Sequence, residues 1–178
     1  MRIIAGAAKG RRLDTPPEGT RPLTGKAREA LFSILGDRVD GAAVLDLYAG
    51  SGSFGLEALS RGAVDAVFVE SARAAIVVLQ ENIDSVDLAG RVEPGDVEDY
   101  LARSTESFDL VFVDPPWALD DGTVDHVSTL LEPLLNKGGI VVVHRRAGGG
   151  EPTSDNLRLT DRRRYGDTEF WLYEKEGA

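Results

Sequence analysis

From residue 44 onward, apolar runs alternate with stretches of helical periodicity, and this alternation constrains the fold more than any other feature of the sequence. Valine-rich runs occupy 44–49, 66–70, 108–114 and 138–144, with a weaker one at 91–94. Such runs suit parallel strands buried on both faces. Residues 76–86 and 124–134 carry apolar side chains three or four positions apart, which indicates helices. The pattern predicts a Rossmann-like, doubly wound α/β sheet with right-handed crossovers.

The end of the chain departs from this alternation. Residues 148–156 are rich in glycine and polar residues and are too short for another helix. Residues 157–165 and 168–175 flank a Gly166–Asp167 turn, which is typical of an antiparallel hairpin. The sheet is therefore predicted to be mostly parallel, with an antiparallel C-terminal strand.

The start of the chain is predicted to form a short extension. Residues 1–22 are expected to be a basic β-hairpin and linker, and residues 23–178 the main domain. Two short strands are expected within 2–14, before a proline-rich linker at 16–22. A helix is predicted from Thr24, its N-cap, to Arg38. Its apolar stripe comprises Ala27, Ala30, Leu31, Ile34 and Leu35.

The net charge of −10 by itself disfavours a nucleic-acid partner. The charge is unevenly distributed, however. Residues 1–38 hold eight basic and four acidic side chains, a net of +4, whereas residues 39–178 hold 12 and 26, a net of −14. The chain's total therefore hides a basic N-terminal segment.

Several kinds of site are excluded by composition. The absence of cysteine rules out disulfides, thiolate nucleophiles and cysteine-ligated metals. His126 and His144 lack the spacing of metal ligands, so we expect structural roles for both and no bound metal. No window reaches the ~18 apolar residues of a membrane helix. We therefore expect a cytoplasmic protein with no membrane partner.

A Gly-x-Gly-x-x-Gly turn follows the first strand of the sheet, at residues 50–55, and opens a helix. Such a turn brings the backbone and free helix N–H groups close to a ligand, although a plain tight turn has the same sequence. Two ligands compete for it. A dinucleotide would place its pyrophosphate there, whereas S-adenosylmethionine (SAM) has no phosphate. Glu70, at the end of the second strand, suits the ribose of either one.

Asp46 separates these two ligands. It lies inside the first strand, four residues before Gly50, where a carboxylate would repel a pyrophosphate. The sulfonium and ammonium groups of SAM are cationic, so this residue favours SAM over a nicotinamide dinucleotide. The alternative is that Asp46 only accepts hydrogen bonds from loop amides.

The motif Asp114-Pro115-Pro116-Trp117 ends the fourth strand, on the ligand-binding edge of an open sheet. A carboxylate and prolyl carbonyls accept hydrogen bonds, and an aromatic ring stacks on a base. The motif therefore suits a planar group bearing an amine; the alternative is that it is only a rigid loop, with Trp117 in the core. Asp96, after the third strand, either accepts from an adenine amino group or caps a helix.

The chain resembles the bacterial 16S rRNA guanine-N2 methyltransferases of the RsmD type. The resemblance covers nearly the whole length and is carried by RIIAG…KGRRL, RPLTGKAREALFSIL, VLDLYAGSGSFGLEALSRGA, Glu70 and FDLVFVDPPW. It implies the Rossmann-like sheet of SAM-dependent methyltransferases, with a final antiparallel strand inserted and a short N-terminal extension. It also implies methyl transfer from SAM to the exocyclic N2 of a guanine in the helix 31 loop near the P site, with S-adenosylhomocysteine as product. The family acts on assembled 30S subunits or late assembly intermediates.

The resemblance and the pattern of residues together assign residues to these roles. Asp114, Pro115, Pro116 and Trp117 match the catalytic loop, where the family usually has Tyr or Phe at the last position. The predicted cofactor-binding residues are Asp46, Tyr48, Gly50, Ser51, Gly52, Glu70, Ser71, Asp96 and Val97. The predicted RNA-binding residues are Lys9, Arg11, Arg12, Arg21, Arg28, Arg145 and Arg146. We expect a monomer.

Three other functions remain open on the sequence. A SAM-dependent methyltransferase acting on tRNA, DNA or protein would need the same pocket. A non-catalytic rRNA-binding assembly factor would keep the basic segment without needing the carboxylate of Asp114. An NAD-dependent oxidoreductase is disfavoured by Asp46 and by the loop at 114–117.

Overall fold

A computed structural model of the chain describes residues 1–16, 24–153 and 156–176. Helices and strands alternate along the chain as the apolar pattern predicts. The α-helices are α1 (Gly25–Leu35), α2 (Ser53–Ser60), α3 (Arg73–Val86), α4 (Val97–Arg103) and α5 (Asp121–Leu131), with 3-10 turns at Gly36–Val39 and Glu132–Leu134. The strands are β1 (Ala43–Leu47), β2 (Asp65–Glu70), β3 (Arg91–Pro94), β4 (Phe108–Val113), β5 (Leu135–Arg146), β6 (Leu157–Tyr165) and β7 (Thr168–Lys175).

The seven strands form one sheet in the order β3-β2-β1-β4-β5-β7-β6. The first five are parallel, whereas β7 lies between β5 and β6 and runs antiparallel to both. This is the predicted Rossmann-like sheet with an antiparallel strand inserted near its end. Because β1 is central and pairs with β2 and β4, the loops that follow these three strands meet at one edge.

Apolar layers cover both faces of the sheet. Alternate residues of each strand point to opposite faces, so Val44 and Phe112 join the layer under α1, α2 and α3. Leu45 and Val111 join the opposite layer, under α4 and α5. Burial on both faces explains why these strands have continuous rather than alternating apolar sequences.

Helix α1 begins at the predicted residue, but the face that it buries is not the one that the apolar stripe predicts. The Thr24 hydroxyl accepts a hydrogen bond from the Ala27 amide at 3.3 Å, which makes Thr24 the N-cap. The predicted apolar stripe included Ile34, which is exposed, and omitted Phe32, which is buried. The helix is rotated because the Phe32 ring packs on Phe112 of β4, with centroids 5.7 Å apart.

The N-terminal arm, residues 1–14, is a compact loop with one antiparallel bridge, between Arg2 and Arg12, where two short strands were expected. Its backbone lies on the end of α2: the Ala7 amide donates to the Ser60 carbonyl at 2.7 Å. At Gly6, with φ of +83°, a Cβ atom would lie 1.6 Å from that carbonyl oxygen. The arm therefore packs on the sheet domain. The predicted boundary at residue 22 lies outside the described residues.

Among the described residues, none of the helices is long and apolar enough to cross a membrane.

Candidate active site

The turn between β1 and α2 has a constrained backbone. Tyr48, Gly50 and Gly52 all have positive φ angles, of 60°, 55° and 76°. At Gly52 a Cβ atom would also lie 2.5 Å from the Leu79 side chain, so the turn needs glycine there. A positive φ at Tyr48 is uncommon for a residue with a side chain and marks this loop as a candidate functional segment.

Asp46 is a buried carboxylate with only part of its hydrogen-bonding capacity used. Its Oδ2 atom accepts from the Gly55 amide at 2.9 Å, and its Oδ1 atom has no partner among the described residues. Burial raises the pKa of Asp46 well above its usual value, the Gly55 hydrogen bond opposes this shift, and the negative charges of Asp114 and Glu70 add to it. The site therefore concentrates negative charge, which a cationic ligand would relieve.

Glu70 connects the end of β2 to the glycine turn. One of its carboxylate oxygens accepts from the Gly50 amide at 2.8 Å, and the other accepts from the Ala72 amide at 2.8 Å. The side chain thus lies directly beside the turn, where the sequence predicts a ribose-binding carboxylate.

Asp96 serves as the N-cap of α4. Its Oδ1 atom accepts from the amides of Glu98 and Asp99 at 2.8 and 3.4 Å. Asp96 therefore caps the helix, and its second carboxylate oxygen accepts no hydrogen bond from the described residues, so the cap does not exclude the predicted contact with adenine. Tyr48 lies close enough for the charge of Asp96 to affect it: burial, followed by the charges of Asp96 and Glu98, raises the pKa of the Tyr48 phenol to about 12.

The other predicted cofactor-binding residues lie around this turn. Ser51 is buried, and its carbonyl accepts from the Asn82 side chain at 2.9 Å. Ser71 is exposed after β2, and Val97 is buried at the start of α4. The structure thus places the predicted set at the carboxyl-end edge of β1, β2 and β3, with Asp46 inside β1, Glu70 at the end of β2 and Val97 at the start of α4.

The loop after β4 carries the predicted catalytic motif. Asp114 is partly exposed, and its amide donates to the Leu47 carbonyl at 3.3 Å, which fixes it beside the end of β1. Pro115 is buried, and the Pro116 carbonyl accepts from the Leu119 amide at 2.9 Å. The loop is therefore held by its own backbone.

A cleft of about 600 Å³ adjoins this loop. The partly exposed ring of Trp117 forms one wall, and the Arg146 guanidinium lies 5.8 Å from the centroid of that ring. The backbone of Gly148 and Gly149 forms another wall. An aromatic ring beside a cation suits a nucleobase and its phosphate.

Arg145 has a different role from the one predicted. The residue is only 8% exposed. It donates to the Leu119 carbonyl at 2.7 Å and to Asp121 at 3.1 Å, and it contacts the Pro116 carbonyl at 3.5 Å. Because its donors are used within the protein, Arg145 supports the loop after β4, and we remove it from the RNA-binding set.

Arg28 is buried, so it too is removed from the predicted RNA-binding set. The side chain is 2% exposed, so it cannot meet a phosphate on the surface. Its guanidinium donates to the Arg2 carbonyl and to the Met1 sulfur and lies 3.8 Å from the Glu57 carboxylate. It holds the N-terminal arm against α1 and α2.

The remaining basic residues of the arm are exposed. Arg11 donates to the Ser85 carbonyl at 2.8 Å, and Arg12 lies 3.4 Å from Asp14. Lys9 lies at the exposed turn of the arm. Arg21 lies outside the described residues.

His144 belongs to the site, although the sequence indicated only a structural role. Its Nδ1 atom lies 2.6 Å from Asp114 Oδ1. One signal was available: β4 and β5 are neighbours in register, with Val113 opposite Val143, so the residue after each is adjacent. His126 is instead half-exposed, 3.7 Å from Glu98. The described residues contain no group of acidic, histidine or cysteine side chains able to hold a metal.

The chain is similar to proteins of one family along nearly its whole length. The family described as "Conserved hypothetical protein 95" matches residues 1–174. Ribosomal RNA small subunit methyltransferase D of Escherichia coli K12 is 35% identical over 181 residues, which cover 99% of this chain and 90% of that protein. Its namesake in Haemophilus influenzae is 31% identical over 183 residues, covering 98% and 93%.

Solved structures give the same result. The structure of Escherichia coli yhhF has a TM-score of 0.86 and 35% identity, covering 99% of this chain and 98% of that one. A hypothetical protein from Thermus thermophilus has a TM-score of 0.85 and 34% identity, covering 97% and 98%.

The sheet order, the glycine turn after β1 and the acidic groups around it define a Rossmann-like, SAM-dependent methyltransferase. Within that class the match is continuous from the arm to β7. The chain belongs to the RsmD family.

Proposed function

We propose that this protein transfers a methyl group from SAM to the exocyclic N2 amine of a guanine in 16S rRNA. The observation that carries this proposal is the position of Asp114: it lies beside Asp46 and the glycine turn, on the loop that borders the Trp117 cleft. Its carboxylate would thus lie between a cofactor site and a base site. The name of the Escherichia coli relative supports rRNA as the substrate.

The residues around the glycine turn fit SAM. The buried Oδ1 atom of Asp46 has no partner in the described part of the chain and suits a cationic ligand, and the crowded acidic groups there disfavour a pyrophosphate. Glu70 would accept from the ribose hydroxyls, and the free oxygen of Asp96 from the adenine amino group. Tyr48, Gly50, Ser51, Gly52, Ser71 and Val97 would complete the walls of this pocket.

When bound, SAM supplies an electrophilic methyl group on a sulfonium. The chain's own contribution is to orient the amine, which is a poor nucleophile because its lone pair is delocalised into the purine. Asp114 and the Pro115 carbonyl would each accept one N–H of the amine and leave the lone pair directed at the methyl group. Asp114 would then take the proton that nitrogen loses as positive charge builds on it.

The cleft would receive the guanine after it leaves its stack. Trp117 would stack on the base, and Arg146 would contact a neighbouring phosphate. Pro115 and Pro116 would keep the loop rigid while the base enters. Lys9, Arg11 and Arg12 would bind the rRNA backbone farther away, and Arg21 belongs to the same basic segment of the sequence.

The resemblance refines the substrate. We place the target guanine in the helix 31 loop near the P site and take the 30S subunit, or a late assembly intermediate, as the physiological form. We expect the protein to act as a monomer in the cytoplasm, with residues 1–22 as a basic extension of the catalytic domain.

The proposal is tested by supplying labelled SAM with 30S subunits that lack the modification, with naked 16S rRNA, and with tRNA and DNA. We expect the label on one guanine N2 of the 30S subunit. The Asp114→Ala variant should lose turnover while binding SAM with unchanged affinity. Label on tRNA or DNA instead, or near-normal turnover of the variant, would contradict the proposal.

A further inference from the structure

His144 is placed to control the conformation of Asp114. His144 is 4% exposed and lies on β5, the strand next to β4, which Asp114 directly follows. Its Nδ1 atom is 2.6 Å from Asp114 Oδ1, a short hydrogen bond of the kind that charged partners make. No other described residue hydrogen-bonds the Asp114 carboxylate, so this single contact determines how the side chain is held.

The surroundings of the ring limit which nitrogen carries the proton. The Phe54 ring lies edge-on to it at 6.2 Å and the Phe170 ring lies 5.0 Å away, and Nε2 has no partner among the described residues. With the proton on Nε2, that N–H would be a buried donor without an acceptor, and the bare Nδ1 would face the carboxylate oxygen of Asp114. A proton on Nδ1 satisfies the hydrogen bond to Asp114 and leaves only an unused lone pair at Nε2.

We propose that His144, protonated on Nδ1, is a positioning residue that locks Asp114 Oδ1 and leaves Oδ2 as the acceptor for the substrate amine. This inference rests on the proposed methyl transfer and adds the group that orients its carboxylate. Asp114 then meets the amine with one oxygen in one orientation. A carboxylate free to rotate would spend part of its time in geometries that do not hold the lone pair toward the methyl group.

Two substitutions of equal size separate hydrogen bonding from packing. In His144→Asn the side-chain amide nitrogen is bonded to Cγ, as Nδ1 is, so a donor stays near the same place. The leucine of His144→Leu has the same number of side-chain heavy atoms as the asparagine of His144→Asn, but it has no hydrogen-bond donor. Both variants leave about the same space beside Phe54 and Phe170, and they differ in the polar amide group, which supplies the donor.

The expected result is a loss in kcat that depends on the donor. His144→Leu should lower kcat on 30S subunits about 10- to 100-fold, the loss expected for a hydrogen bond to a charged group. His144→Asn should stay within a few-fold of wild type. The Kd for SAM, measured by calorimetry, and the KM for SAM should change little in either variant. Equal losses in both variants would show a packing role and overturn the inference, as would full activity of His144→Leu.

A measurement on the unaltered protein tests the proton position directly. Nitrogen NMR of histidine-labelled protein, with His126→Gln to assign the two rings, should show His144 protonated at Nδ1 and bare at Nε2. The reverse tautomer would overturn the inference while leaving the proposed function intact. A wild-type protein that binds SAM but methylates no guanine would instead overturn the proposed function, and this inference with it.

Discussion

The carboxylate of Glu57 and the guanidinium of Arg28 face each other at 3.8 Å in the interior, and neither side chain reaches solvent. Glu57 also accepts from the amides of Ile4 and Ala5, at 2.8 and 3.1 Å. It lies on α2, the helix that starts at the glycine turn. One buried ion pair therefore joins the arm to the element that forms the cofactor pocket.

Glu57→Gln should destabilise the protein by about 3–5 kcal/mol. Removing one partner of a buried ion pair leaves the other charge without compensation, and burial already lowers the pKa of Arg28. Urea unfolding at neutral pH measures the change. Glu81→Gln, on the exposed side of α3, is the control and should stay within about 0.5 kcal/mol. Equal stability of the two variants would show that the pair contributes nothing.

Asp46→Asn should remove a pH-dependent cost of folding. The pKa of Asp46 is raised in the folded state, so between the unfolded and folded pKa values the native protein binds more protons than the unfolded chain. Wild-type stability therefore falls as pH rises through this window. In the variant that fall is absent, and its side-chain oxygen still accepts from Gly55. Urea unfolding across the acidic and neutral range should show the stability of the variant relative to wild type rising with pH. A difference in stability between the variant and wild type that does not change with pH would show that the pKa of Asp46 is not raised by folding.

Trp117→Ala should lower kcat/KM toward 30S subunits about 10- to 100-fold. Stacking on an aromatic ring contributes about 1–3 kcal/mol per base. Trp117→Tyr and Trp117→Phe keep a ring and should retain most activity, and the Kd for SAM should be the same in all three variants. Steady-state methylation with varied 30S concentration is the measurement. If the alanine variant matches the tyrosine variant, the ring does not hold the base.

Removing the arm charges should weaken 30S binding and leave SAM binding unchanged. Lys9→Ala combined with Arg12→Ala should raise the KM for 30S subunits and flatten its dependence on salt, by about 0.7–0.9 in log–log slope for each phosphate that the arm no longer neutralises. Substitution is sharper than deleting the arm, because deletion would also remove Ile3 and Leu13 from the core.

Arg158→Ala is the matched control for the arm variant. Arg158 lies near the start of β6, the outermost strand on the side of the sheet opposite β3, and it lies beside Glu174 and Glu176. Its loss should leave the KM for 30S subunits and the salt slope unchanged. A salt slope that changes equally in both variants would mean that the arm does not contact rRNA.

The strands were predictable because their apolar sequences record burial on two faces, as at Val111 and Phe112. Asp46 and the motif beginning at Asp114 could also be singled out, since a carboxylate in or directly after a buried strand needs a partner or a function. Their positions relative to a predicted strand were enough to make them candidates for the site.

Arg28 and His144 show what the sequence pattern could not decide. An arginine on a helix appears solvent-exposed to any periodicity argument, and its burial depends on Glu57, 29 residues farther along the chain. A histidine in a buried strand appears structural until the register of β4 and β5 places it against Asp114. In both cases the partner is distant in sequence, so local pattern contains no record of it.

The position of β7 between β5 and β6 has a consequence for how the chain folds as it is made. Strand β6 is synthesised before β7, yet β7 is the one strand of the described residues with which it pairs. Until residue 175 is available, both β5 and β6 present open edges of the kind that promote aggregation. Arg162, Arg163 and Arg164 lie along β6, and their like charges would keep one nascent chain from pairing with another.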